Sequence, residues 1–122
     1  MAGTVRKGLD PERLAERRLG GRLEVDFRVP TQLEVWPGHF PGHFVVPGVL
    51  QIDWVIRIAA SRLGTGAPIG IENLKFKTPL LPHQTFTMSL EMDRGGRRVE
   101  FRLAHGESVF TMGRLEFEAG PA

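Results

Sequence analysis

The segment that most constrains this chain is the run VLQIDWVIRIAASRL, Val49 to Leu63. Pro47-Gly48 opens it, and Gly64 and Gly66 follow it. It is too long for a typical strand, so it reads as a helix over residues 48–63. Its residues are apolar nearly all round, and such a helix has to be enclosed. At 122 residues the chain is the size of one domain, and the whole of 1–122 is read as one. There is no cysteine to staple it. The enclosure must therefore come from the remaining secondary structure.

That remainder reads mostly as strands. In RLEVDFRV, the residues Leu23, Val25, Phe27 and Val29 alternate onto one face. Pro30 interrupts the pattern and QLEVW resumes it. After the helix, strands are expected at about Ile69–Thr78, Thr85–Asp93, Arg97–Ala104 and Ser108–Glu118, with DRGGRR and AHGES as turns at hairpin spacing. Asp10-Pro11-Glu12 resembles a helix start, so PERLAERRLGG is expected to be a short, charged surface helix stopped by Gly20-Gly21. The expected class is α+β, a curved antiparallel sheet wrapped around one long central helix.

Composition excludes several functions. Hydrophobic content is 41% and charged content 25%, both ordinary for a globular protein. Net charge is +2 with a pI of about 9.7, too small an excess to imply nucleic acid. No run reaches the ~18 apolar residues of a membrane span. MAGTVRKGLDPERLAERRLGG lacks the apolar core of a signal peptide. Absent cysteines accord with a reducing cytoplasm and exclude a thiolate metal site or cysteine nucleophile. No histidine–carboxylate cluster has ligand spacing, so no metal site is expected.

The chemistry concentrates in GHFPGHFVVPGVLQIDWVIRIAAS, Gly38 to Ser61. Pro41, Gly42 and Pro47 make its first part a stiff loop. An aspartate, Asp53, then stands inside the apolar helix. HFPGHFVVPGVLQIDWV resembles the active-site segment of the β-hydroxyacyl-acyl carrier protein dehydratases of the FabZ and FabA type. LQIDWVIR is most similar to the ApeI-like branch. The resemblance implies the hotdog fold and dehydration of a 3-hydroxyacyl thioester, held on acyl carrier protein, to a trans-2-enoyl thioester. The pathway would be of the fatty acid or aryl polyene type. It implies that the catalytic histidine falls on His39, the acid on Asp53 and the oxyanion-binding amide on Gly48. It also implies a homodimer with shared active sites, His39 of one subunit facing Asp53 of the other.

The residue types suit that reaction. Imidazole titrates near neutrality, so His39 can take a C2 proton. A helix N-terminus offers unpaired N–H groups to the growing enolate charge, and Gly48 has no side chain in the way. Burial of an acid in an apolar helix favours its protonated, proton-donating form.

The chain departs from the family at Phe44, where proline is usual, and at Arg57, where glutamine is common. Asp53 and Arg57 stand at i, i+4, so Asp53 is read either as the acid or as the ion-pair partner of Arg57. His43 reads as a loop residue, and His83 and His105 as solvated turn residues. Trp36, Trp54 and Phe76 read as core, or for some of them as the lining of an acyl channel. Lys75, Lys77, Arg94, Arg97 and Arg98 read as solvated strand ends that could also meet an acidic carrier protein. The alternatives to a dehydratase are a hotdog thioesterase and a non-catalytic acyl-binding or assembly partner.

Overall fold

The computed structural model describes residues 5, 6, 8–31 and 45–118. The elements run β1 (Glu12–Leu19), β2 (Arg22–Arg28), α1 (Gly48–Ile58), β3 (Gly70–Phe76), β4 (Thr85–Met92), β5 (Arg98–His105) and β6 (Ser108–Glu116). A wider π-type turn, Ala59–Leu63, continues α1 to Gly64. The strands form one antiparallel sheet in the order β1-β2-β4-β5-β6-β3.

Alternation puts one face of the sheet on the helix. Leu23, Val25 and Phe27 of β2, Phe86, Met88 and Leu90 of β4, and Val99, Phe101 and Leu103 of β5 are all buried. They meet Leu50, Ile52, Trp54, Val55 and Ala59 of the helical segment. The Trp54 ring stacks on Phe86 at 6.0 Å and 9°. The helix and the four strands that follow it thus form where hydrophobic periodicity places them. QLEVW and Trp36 lie outside the described residues.

The expected N-terminal helix is instead the edge strand β1. Glu12–Leu19 has every residue exposed, so it carries no apolar alternation to betray a strand. Charge pairing with β2 fastens it: Arg17 reaches Glu24 and Asp26, each at 2.9 Å. Glu16 holds Arg62 beyond α1 at 2.9 Å. Gly20-Gly21 is a two-residue hairpin turn that joins Leu19 to its partner Arg22. Gly20 has φ +64°, open to glycine at no steric cost.

Phe76 also departs from expectation. It is 53% exposed at the end of the other edge strand, β3. Ile69, Ile71 and Leu74 are exposed along the same edge.

A buried polar link ties the helix to the sheet. Gln51, 3% exposed, donates from Nε2 to the Val46 carbonyl at 3.1 Å and accepts from the Thr111 hydroxyl of β6. The Val46 amide donates to the Leu80 carbonyl at 2.8 Å. The segment entering α1 is therefore held from both sides.

Two outcomes follow. Gly20→Val meets no neighbouring atom, so its cost comes from the backbone alone, about 1–2 kcal/mol. Gly21→Val, at a glycine without positive φ, should cost clearly less in the same denaturant titration. Gln51→Leu strands the Val46 carbonyl and the Thr111 hydroxyl and should cost about 1–3 kcal/mol. Adding Thr111→Val should recover part of that loss in a double-mutant cycle.

Candidate functional site

The site starts where α1 starts. Pro47 is the cap residue, and the Leu50 and Gln51 amides turn back to its carbonyl at 3.1 and 3.2 Å. Among the described residues, no backbone acceptor takes the Gly48 and Val49 amides. Both are N–H groups that a helix end cannot satisfy internally. They lie at the positive end of the helix dipole. A Cβ on Gly48 would come within 2.6 Å of the Phe76 ring. Glycine is thus what lets the ring from β3 lie against the start of α1. The spacing of the PG motif signalled the glycine; nothing in the sequence signalled Phe76 as its neighbour.

Asp53 stands five residues further on, about 7.5 Å along the axis. The expectation of a buried acid is corrected here, because its side chain is 41% exposed. The sheet covers the Leu50, Trp54, Val55 and Ala59 side of the helical segment, all of them buried. Val49, Asp53 and Arg57 recur every four residues on the side it leaves open. Val49 is 81% exposed. An apolar helix is enclosed here on one side, and the acid lies on the other.

The ionic partner also differs. Arg6, not Arg57, hydrogen-bonds the Asp53 carboxylate, from Nη2 to Oδ2. The same guanidinium holds Asp10 Oδ1 through Nη2 at 2.7 Å and Nε at 3.1 Å. Arg57 approaches Asp10 at 4.0 Å. Hydrogen bonding to Asp10 above all, against partial desolvation, holds the Arg6 guanidinium above its ordinary value. No local signal pointed to Arg6, whose target lies far along the chain. A cavity of about 150 Å³ adjoins this cluster, floored by Phe27, Trp54 and Ile58 with Asp10 and Arg57 at its side.

The other expected residues are dispersed. His39, His43 and Phe44 lie outside the described residues. His83 is exposed in a turn at φ +69°. His105, exposed at the end of β5, meets the Thr85 hydroxyl at 3.1 Å. Lys75, Lys77, Arg94, Arg97 and Arg98 are exposed. Among the described residues no helix is long and apolar enough to cross a membrane. The same residues contain no group of three or more histidines and carboxylates placed to hold a metal ion.

Known proteins resemble this chain in sequence and fold. The ApeI-like family, described as ApeI dehydratase, matches residues 15–114. A 3-hydroxyacyl-(acyl-carrier-protein) dehydratase FabZ of Erythrobacter litoralis is 32% identical, over 88% of this chain and 79% of its own. A FabZ of Thermus thermophilus is also 32% identical, over 75% and 71%. Among solved structures, the dehydratase heterocomplex ApeI:P from Xenorhabdus doucetiae superposes with a TM-score of 0.79 at 27% identity, covering 88% of this chain and 96% of that one. The R-hydratase PhaJ1 of Pseudomonas aeruginosa, 14% identical with a TM-score of 0.61 over 93% of this chain and 90% of its own, shares the fold. With a six-stranded sheet packed on one α-helix among its described residues, and a family match over residues 15–114, the chain belongs to the ApeI-like dehydratases, enzymes of the hotdog fold.

Proposed function

We propose that this enzyme removes water from a 3-hydroxyacyl thioester carried on an acyl carrier protein and forms the trans-2-enoyl thioester. The observation that carries the reading is the start of α1. There the Gly48 and Val49 amides meet no backbone acceptor among the described residues, and Asp53 follows on the helix side the sheet leaves open. The relatives named as 3-hydroxyacyl-acyl-carrier-protein dehydratases support the substrate. The pathway is of the fatty acid or aryl polyene type, and the setting is the cytoplasm.

In this mechanism His39 takes a proton from C2. Charge moves onto the thioester oxygen, where the Gly48 amide and the helix dipole stabilise it. The C3–O bond breaks as the C2=C3 double bond forms. Asp53 accepts from the Arg6 guanidinium, and in this reading it accepts from the substrate hydroxyl as well. It therefore orients the departing hydroxyl, and protonated His39 returns its proton so that water leaves. Atoms and charge balance without any cofactor.

The working form is a dimer. β3 is an open edge strand with Ile69, Ile71, Leu74 and Phe76 exposed along it. Such edges invite pairing. A second copy added there would extend the sheet, and this reading pairs His39 of one subunit with Asp53 of the other. The dehydratase ApeI:P is a heterocomplex, which suggests a different chain as the alternative occupant.

His39→Ala should lower conversion of a 3-hydroxyacyl thioester by about 10²–10⁴-fold. Circular dichroism should stay unchanged. Near-normal turnover would remove His39 from the reaction. Light scattering at micromolar concentration should give a dimer, and Leu74→Lys should weaken it and reduce activity. A fully active monomer would contradict the shared site.

A further inference from the structure

The turn before β1 is closed by several hydrogen bonds. The Leu9 and Asp10 amides donate to the Arg6 carbonyl at 3.0 and 2.9 Å. Asp10 accepts from the Arg6 backbone amide at 2.7 Å and from its Nε and Nη2. The guanidinium is thereby locked against its own turn. The turn itself is fastened to α1, because the buried Trp54 indole donates to the Leu9 carbonyl at 2.8 Å. Out of this closed arrangement one further hydrogen bond emerges, and it goes to Asp53.

We propose that Arg6, fixed by Asp10, is a positioning residue that aims the Asp53 carboxylate at the substrate hydroxyl. This rests on the role given to Asp53 above. A flexible cation at Asp53 would supply charge alone. A guanidinium whose Nε and Nη2 are both held by Asp10 also supplies direction, since its fork is planar and rigid. Asp53 needs that help because the sheet does not pack on it, and a carboxylate on an open helix face otherwise samples several rotamers. Misplacement of a reacting group by about 1 Å can cost on the order of 10²-fold in rate. Arg57, one turn on, approaches Asp10 and leaves the Asp53 bond to Arg6.

The alternative is a fastener that merely holds the turn down. Steady-state kinetics and melting temperatures of Arg6→Ala, Arg6→Lys, Asp10→Asn, Trp54→Phe and Asp53→Asn separate the two, with a 3-hydroxyacyl thioester as substrate. For a positioning role, Arg6→Ala should lower kcat by about 10–100-fold with KM within about threefold. Arg6→Lys should restore part of it, since an ammonium keeps the charge and loses the fork. Asp10→Asn should lower kcat less. Combined with Arg6→Ala it should add nothing further, because Asp10 acts through Arg6. Trp54→Phe loosens the same turn without touching the charges, so it should lower the melting temperature more than kcat. If Arg6→Ala keeps kcat within twofold while Asp53→Asn abolishes turnover, Arg6 is a fastener and the inference fails alone. If Asp53→Asn itself turns over normally, the role of Asp53 and that of Arg6 fall together.

Discussion

Everything in this protein hangs on how α1 is seated. Trp54 and Val55, both essentially inaccessible, press the helix onto β2, β4 and β5, and the Trp54 ring stacks on Phe86. Apolar burial of that size is the main favourable term in a domain of this length. It also decides orientation. Once Leu50, Trp54, Val55 and Ala59 face the sheet, the helical period turns Val49, Asp53 and Arg57 away from it. Packing thus presents the residue proposed to meet the substrate, Asp53, on the side of the helix that the core does not need.

The start of α1 is fixed by separate means. The Gln51 amide bridges Val46 and Thr111, and the Val46 amide is held by Leu80. These bonds make the helix entry a rigid object, which an oxyanion-binding amide requires, since such groups act by being preorganised. The Phe76 ring lies against Gly48 and comes from the strand whose outer edge is open. A second copy pairing at that edge would lie next to the candidate site. Assembly and chemistry would then share one surface.

Legibility in the sequence followed burial. β2 and β4 to β6 alternate because one face of each is covered, and that period survives in the amino-acid order. α1 was legible from its length and its Pro-Gly opening. β1 was not, because none of its residues is buried. An edge strand held by ion pairs has the charged composition of a surface helix, and Gly20-Gly21 ends either one. Gly48 and Asp53 were legible as a motif. The environment of Asp53 was not. Its partner Arg6 is distant in sequence, and i, i+4 spacing pointed instead to Arg57. Phe76 looked like core from its composition, yet it lies at a free edge, which periodicity within a single strand does not reveal.

Water loss at a thioester is tested most directly on the wild-type protein. It would be incubated with a 3-hydroxyacyl group on acyl carrier protein, with enoyl product and free carrier thiol followed together by mass. Dehydration predicts an acyl group lighter by one water, still attached to its carrier, with no free thiol beyond the enzyme-free control. Free thiol without enoyl product would contradict dehydration and indicate hydrolysis of the thioester.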